Sequence, residues 1–99
     1  MYEALSLKGK VAIITGGAGG IGEVTARLMA ERGASVAIAD INLDGARRVS
    51  LAIGTAALAV ELDLASEASI AACVSAVVTH FGRIDVLHNN AAVAGETVA

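Results

Sequence analysis

The chemistry that the sequence could support begins with a glycine-rich run near the start of the chain, Thr15-Gly16-Gly17-Ala18-Gly19-Gly20-Ile21-Gly22. A pyrophosphate binds where bare backbone N–H groups meet the positive end of a helix dipole, and glycine lets the backbone approach because it has no Cβ. Gly16 would make the tight exit from a strand, Gly20 would bring the backbone to the pyrophosphate, and Gly22 would let the following helix lie close to that strand. Glycines also mark ordinary turns, so the run predicts phosphate binding only between a strand and a helix.

A second candidate is Asp40, which lies 18 residues beyond Gly22 at the end of an apolar segment. A carboxylate there can accept hydrogen bonds from the hydroxyl groups of an adenosine ribose, and it would repel a phosphate on the 2′ position. Ile41 is not basic, and the glycine-rich run contains no Lys or Arg. These residues predict a site for NAD rather than NADP. The alternative is that Asp40 only caps the next helix or solvates the end of a strand.

The first elements of the chain have to place these two groups. Residues 11–15 are a short apolar run that predicts a strand buried on both faces, and residues 35–40 predict a second one. Residues 21–32 predict a helix that ends at Gly33. Helical spacing places five residues on one side of it: Ile21, Val24, Thr25, Leu28 and Met29.

The rest of the chain repeats the alternation. Residues 43 to about 52 predict a helix ended by Gly54, and residues 56–61 predict a strand, although their alanines favour helix. Ser66 caps a third predicted helix that runs to Phe81, and residues 84–89 predict a fourth strand. The order β-α-β-α-β-α-β predicts an α/β fold with a parallel sheet and right-handed crossovers.

Composition narrows the class of protein. The 99 residues suffice for one domain, which we assign to residues 1–99. The formal charge of −3 gives no basic surface of the kind that binds nucleic acid. Cys73 is the only cysteine, and His80 and His88 are the only histidines, so neither an internal disulfide nor a cysteine or histidine metal site is expected. Arg47-Arg48 is the only basic pair; we interpret it as a solvated face, with a smaller chance that it reaches a phosphate. No membrane span or signal peptide is predicted, and we expect a soluble, cytoplasmic protein.

The motif Thr-Gly-x-x-x-Gly-x-Gly, matched by Thr15, Gly16, Gly20 and Gly22, resembles that of the short-chain dehydrogenase/reductase family, as does the entry into the first strand, Leu7-Lys-Gly-Lys-Val-Ala-Ile-Ile14. The resemblance implies a Rossmann-type, doubly wound parallel sheet, here truncated after four strands in the order 3-2-1-4. It also implies that the chain is the N-terminal, NAD-binding half of an oxidoreductase, with Ile21 beside the cofactor.

The same resemblance implies roles for two later segments. Asp63 would accept a hydrogen bond from the adenine amino group and Leu64 would line the adenine pocket, although Asp63 could instead cap a helix. The run from Gly82 to Ala92 looks like the family's fourth strand with its Asn-Asn-Ala-Gly signature, which lies beside the cofactor's ribose. Asn89 and Ala91 would be the contacts there. Ala92 stands where the family has glycine. His88 is expected to be a strand histidine with a hydrogen-bond partner rather than a catalyst.

The family's catalytic Tyr-x-x-x-Lys pair and its serine cannot be placed. The only tyrosine is Tyr2, and the only lysines are Lys8 and Lys10. We therefore predict no catalytic residue and no hydride transfer between NAD and an alcohol or carbonyl substrate by these 99 residues alone. An uncovered fourth strand predicts a homo-oligomer, because unpaired strand edges recruit partners. The alternatives are a stand-alone nucleotide-binding or assembly module and, less favoured, a methyltransferase that binds S-adenosylmethionine.

Overall fold

A computed structural model of the protein describes residues 6–90. It contains seven elements that alternate between strand and helix: β1 (Val11–Thr15), α1 (Gly20–Glu31), β2 (Ser35–Asp40), α2 (Leu43–Ile53), β3 (Ala57–Glu61), α3 (Glu67–Phe81) and β4 (Val86–Asn89). The predicted order of elements is confirmed. No helix within residues 6–90 is long and apolar enough to cross a membrane.

The four strands form one parallel sheet in the order β3-β2-β1-β4. Thr15 pairs with Ala39 of β2 on one side and with Asn89 of β4 on the other. Because all four strands run the same way, their carboxyl ends meet at one edge of the sheet. The predicted doubly wound, Rossmann-type α/β topology is confirmed, and residues that follow the strands are brought together at that edge.

The sheet is covered on both faces, which is why β1 and β2 read as continuous apolar runs. Alternate residues of these strands, such as Ile14 and Ile38, pack with α1 and α2 on one face. Ile13 and Ala37 pack with Cys73 and other residues of α3 on the opposite face. All five residues of β1 are buried, so the first strand is the centre of the core.

The helix ends follow local chemistry. Asn42 caps α2, since its side chain accepts a hydrogen bond from the Gly45 N–H at 3.0 Å. Ser66 caps α3 in the same way through the Ser69 N–H at 3.1 Å, as predicted. Helix α1 differs, because its N-cap residue is Gly19 and no side chain caps it.

Most of the stripe predicted for α1 does not lie on the face that the structure buries. Gly22 and Ala26 are the buried residues of α1, whereas Ile21 is 71% exposed, and Val24 and Leu28 are also exposed. Beside the glycine-rich turn, the helix lies so close to its neighbours that only small residues fit beneath it. Of the larger apolar residues that the periodicity grouped together, Ile21, Val24 and Leu28 are exposed, whereas Met29 packs against the core.

Strand β4 begins at Val86, two residues later than predicted. The Asp85 carboxylate accepts a hydrogen bond from the Val11 N–H at 2.9 Å, and the Asp85 N–H donates to the Val11 carbonyl at 2.8 Å. The Asp85 side chain thus replaces a backbone carbonyl as the acceptor, and the β1–β4 hydrogen-bond ladder does not extend to this residue. The Arg83 guanidinium, which donates to the Asp85 carboxylate, and the Val11 N–H together lower the pKa of Asp85.

Candidate functional site

The candidate site lies at the carboxyl edge of the sheet, where the glycine-rich turn links β1 to α1. The N–H groups of Gly16 and Gly17 both point to the carbonyl oxygen of Ala39, at 2.8 and 3.4 Å. The Leu62 N–H donates to the Asp40 carbonyl at 3.0 Å, which joins the end of β3 to the same edge. The turn is therefore fixed to the end of β2 and is not a free loop.

Two of the predicted glycines have backbone conformations that side chains rarely adopt. Gly16 has φ +70° and Gly20 has φ +59°. The first reverses the chain as it leaves β1, and the second begins α1. Apart from the adjoining backbone, no atom of residues 6–90 lies within 4 Å of the position where a Cβ of Gly20 would be, so the backbone is bare on that side.

Gly22 is required for a different reason. A Cβ at this position would overlap the carbonyl oxygen of Gly16 and would come within 3.0 Å of the Asn90 side-chain nitrogen. Both neighbours belong to the turn or to the end of β4, so α1 rests directly against them. This close approach is the role that the sequence predicted for Gly22.

The first turn of α1 presents backbone N–H groups without acceptors. The opening amides of a helix have no intrahelical partner. The Gly19 N-cap has no side chain that could accept from them. No carbonyl within residues 6–90 takes a hydrogen bond from the N–H groups of Gly20, Ile21 or Gly22. These donors, with the positive end of the helix dipole, form an anion-binding geometry.

Asp40 lies beside the turn, and both of its carboxylate oxygens already accept a hydrogen bond. One accepts from the Ala18 N–H at 3.0 Å, and the other accepts from the Asn42 N–H at 2.9 Å. Two carboxylate oxygens have about four lone-pair sites, so each retains one for a further donor. Asp40 does not cap α2, because Asn42 does so. The carboxylate thus orients the turn and keeps lone pairs that could accept from a further donor.

Arg48 of α2 contacts the carbonyl side of Ala18, the residue whose N–H donates to Asp40, and the sequence did not reveal this contact. Its guanidinium donates to the Ala18 carbonyl at 3.0 Å and lies 3.7 Å from the Glu23 carboxylate. Glu23 also accepts from Arg27 at 2.8 Å, and Arg27 is the main cause of a lowered pKa of Glu23. The only sequence signal for this contact was the basic pair Arg47-Arg48, and in the structure Arg48 contacts the turn whereas Arg47 lies near Asp44.

Asp63 and Leu64 follow β3 at the same edge. The Asp63 carboxylate accepts from the Ala65 N–H at 2.9 Å, and the Asp63 N–H donates to the Ser69 hydroxyl at 2.9 Å. Because Ser66 is the N-cap of α3, Asp63 is not the helix cap that the alternative required. Its second carboxylate oxygen has no partner within residues 6–90, and both Asp63 and Leu64 are half-buried.

Asn89 and Asn90 tie the end of β4 to the glycine-rich turn. The buried Thr15 hydroxyl donates to the Asn89 side-chain oxygen at 3.0 Å and accepts from the Asn90 N–H at 2.9 Å. The Asn90 side-chain N–H lies 3.4 Å from the Gly16 carbonyl. These contacts satisfy polar groups at the end of an apolar strand, as expected. The predicted contact Ala91, and Ala92, lie outside the described residues.

The expectation that His88 has a hydrogen-bond partner is wrong for the part of the chain that the structure describes. Its Nδ1 atom is buried and has no partner within residues 6–90. His88 pairs with Ile14 across the sheet, on the face that carries α1 and α2, where the neighbouring groups are apolar. One ring nitrogen of His88, Nδ1, is therefore unsatisfied within residues 6–90.

An apolar recess of about 230 Å³ opens on the α3 side of the same edge. Its walls combine core side chains with the predicted site residues Leu64 and Asn89, and they are Ile13, Thr15, Leu62, Leu64, Ile70, Cys73, Val74, Ile84, Leu87 and Asn89. The burial of Cys73 raises the pKa of its thiol, so this thiol is a packing group of the recess wall.

The sequence profile of the short chain dehydrogenase family matches residues 10–99. The chain belongs to this short-chain dehydrogenase/reductase family. The match covers the glycine-rich turn, the carboxyl edge of the sheet and all seven elements. It confirms the resemblance inferred from the motifs and leaves no support for the methyltransferase alternative.

Relatives in the family include enzymes named for polyols. The chain is 50% identical over 88 residues to sorbitol dehydrogenase of Cereibacter sphaeroides, covering 89% of this chain and 34% of that protein. It is 51% identical over 89 residues to galactitol 2-dehydrogenase of Agrobacterium fabrum, covering 90% of this chain and 35% of that protein. The chain thus spans about a third of the length of these relatives, less than the half that the motifs suggested.

Solved structures show the same fold. A 3-ketoacyl-(acyl-carrier-protein) reductase from Brucella melitensis, complexed with NADH, matches with a TM-score of 0.82 and 49% identity over 83% of this chain and 34% of that one. A hydroxysteroid dehydrogenase from Escherichia coli matches with a TM-score of 0.89 and 39% identity over 96% of this chain and 42% of that one. The four-stranded sheet is therefore the arrangement found in short-chain reductases.

Proposed function

We propose that the carboxyl edge of the sheet binds NAD, and that the chain is the cofactor-binding part of an oxidoreductase acting on an alcohol or carbonyl substrate. The observation that carries this proposal is the bare first turn of α1, which offers N–H donors beside a carboxylate with free lone pairs. One group suits a pyrophosphate and the other suits a ribose. The NADH-bound relative supports the same cofactor class.

The proposal assigns a role to each predicted contact. The amides of Gly20, Ile21 and Gly22 would hold the pyrophosphate, while Gly16 shapes the turn beneath it. The free oxygen of Asp63 and the side chain of Leu64 would hold the adenine. Asn89 and Ala91 would lie towards the nicotinamide ribose. When bound, the nicotinamide ring supplies the hydride chemistry, and these residues bind and orient it.

NAD is favoured over NADP because of Asp40. A 2′-phosphate would be placed against the carboxylate, and no basic residue lies in the glycine-rich run to offset the charge. Arg48 is near, but its guanidinium is engaged by the Ala18 carbonyl and by Glu23. We therefore expect NADP to bind at least about tenfold more weakly than NAD, a difference of about 1.4 kcal/mol.

The test is calorimetric titration of the wild type and of Asp40→Asn with NAD and with NADP. Hydrogen bonds to a charged acceptor contribute about 1.5–3 kcal/mol each, so loss of the charge should weaken NAD binding by at least about tenfold. The preference for NAD should shrink as well. Damage to the turn alone would weaken both cofactors equally, so the ratio of affinities isolates the ribose contact.

Glu61→Gln is the matched control, since Glu61 is an exposed carboxylate at the end of the neighbouring strand β3. It should bind both cofactors as the wild type does. Equal NAD affinities for the wild type and Asp40→Asn would remove Asp40 from the site. Absence of NAD binding by the wild type would favour the alternative of an assembly module.

Catalysis is proposed to need residues other than these 99. No tyrosine-lysine pair with the family spacing is present, since Tyr2 is the single tyrosine and Lys8 and Lys10 are the two lysines. We expect the 99-residue protein to show no NADH formation above background with polyol or other alcohol substrates in a spectrophotometric assay. Turnover well above background would contradict this.

The proposal includes self-association through β4. Within residues 6–90, β4 pairs only with β1, and Leu87 on this strand is 64% exposed. A strand with one unpaired edge and an exposed apolar side chain favours pairing with another chain. We therefore propose a homo-oligomer in which β4 strands, or the faces beside them, meet.

A further inference from the structure

We propose that Arg48 is a positioning residue that fixes the shape of the glycine-rich turn, so that a phosphate meets a preformed site. The inference deepens the proposed function and rests on it for the identity of the phosphate ligand. Its structural part concerns the turn alone. The contact that supports it joins the guanidinium of α2 to the carbonyl of Ala18 at 3.0 Å.

Ala18 is held from both sides by groups of opposite charge. Its N–H donates to the Asp40 carboxylate at the end of β2, and its carbonyl accepts from Arg48 on α2. Two peptide groups that flank one residue are thereby oriented, which leaves the backbone little freedom to rotate. The next residues are Gly19 and Gly20, which lack side chains that could restrict the turn themselves.

Arg48 also links the turn to the helix whose amides would hold the phosphate. Its guanidinium lies 3.7 Å from the Glu23 carboxylate of α1. Without Arg48, the Ala18 carbonyl would have no side-chain donor within residues 6–90, and Glu23 would keep only Arg27. The contact therefore couples α2, the turn and α1 at the point where the proposed site is assembled.

The adjacent Arg47 provides a natural comparison. Its side chain is 64% exposed, nearly the same as the 63% of Arg48, and it lies 3.8 Å from Asp44. It lines a recess at the outer edge of β3 with Leu58 and His80, away from the turn. The two arginines share a helix, a charge and an exposure, and differ in what they contact.

The test compares Arg48→Met with Arg47→Met and with the conservative Arg48→Lys. Amide hydrogen exchange is measured first, without nucleotide, on a peptide that covers residues 16–22. We expect exchange to become about threefold to tenfold faster in Arg48→Met, to remain at the wild-type rate in Arg47→Met, and to be partly restored in Arg48→Lys. Unchanged exchange in Arg48→Met overturns the proposal.

Binding of ADP and of adenosine is then measured for the same proteins. A merely destabilised protein would bind both more weakly, whereas a misplaced turn should lose affinity for the pyrophosphate of ADP only. We expect Arg48→Met to bind ADP about threefold to tenfold more weakly and adenosine equally well, and a parallel loss of both overturns the positioning role. If the wild type binds neither, the proposed function is wrong, and the exchange result alone decides whether Arg48 fixes the turn.

Discussion

Replacement of Gly22 by alanine tests the closest packing in the site. The new Cβ would overlap the Gly16 carbonyl oxygen, a backbone atom that cannot rotate away. Overpacking of this kind costs about 1–3 kcal/mol, and a backbone obstacle places it at the upper end of that range. Alanine in a helix gains back up to about 1 kcal/mol relative to glycine. The net expectation is a loss of about 2 kcal/mol.

Thermal unfolding followed by circular dichroism measures this loss. For a chain of this size, 1 kcal/mol corresponds to about 4–8 °C, so Tm should fall by roughly 10 °C. Affinity for NAD should fall too, since α1 must move away from the turn to admit the methyl group.

Gly19→Ala is the matched control for the same turn. Gly19 has an extended φ of −167°, and apart from its chain neighbours no atom of the described residues lies within 4 Å of its Cβ position. Loss of a good cap residue and reduced freedom of the unfolded chain nearly cancel there, so the change in stability should be under about 1 kcal/mol. Equal stability of the two alanine variants would refute the close approach of α1 to the turn.

Three further outcomes follow from the described residues. Asp85→Asn should be less stable than the wild type in urea unfolding at pH 7. Because the folded-state pKa of Asp85 lies below its ordinary value of 3.8, this difference in stability should disappear as the pH falls through that lower pKa, and a difference that stays constant with pH would contradict the role of the carboxylate. Asp63→Ala should weaken NAD binding, while Asp44→Ala, an exposed carboxylate in α2, should not, as calorimetry would show. Light scattering should report a dimer or larger species that Leu87→Lys converts to monomer, and a monomeric wild type would remove the β4 interface.

Much of the fold could be predicted from the sequence because the signals were local. Strands buried on both faces, such as β1 and β2, appear as unbroken apolar runs. Glycine, asparagine or serine marks the ends of the helices between the strands. The alternation of these elements then restricts the topology to a few parallel arrangements. The strand order itself came from the family resemblance.

The orientation of α1 could not be predicted from periodicity. Periodicity groups large apolar residues such as Ile21 and Leu28, and it gives little weight to glycine or alanine. The structure buries Gly22 and Ala26 because the helix axis lies very close to the turn. The motif predicted this close approach at Gly22, but periodicity alone does not show which face of the helix it would bury.

The sequence predicted which residues form the candidate site, but not the contacts between them. Asp40 was expected to face a ribose, and the structure adds that its carboxylate also fixes the turn through Ala18. Arg48 looked like half of a surface pair because sequence spacing does not show which side of α2 faces the turn. Among residues 6–90, the Nδ1 atom of His88 lacks the partner expected of it, which no local pattern could have revealed.

The anchor formed by Asp85 and Val11 lies at the opposite rim of the sheet from the glycine-rich turn, with the full length of β1, about 13 Å, between them. Free-energy changes at sites so far apart add nearly independently. The chain can therefore gain or lose resistance to unfolding at one rim while ligand affinity is tuned at the other. This separation would let substitutions at the Asp85 rim adjust the stability of the scaffold with little effect on ligand affinity at the turn.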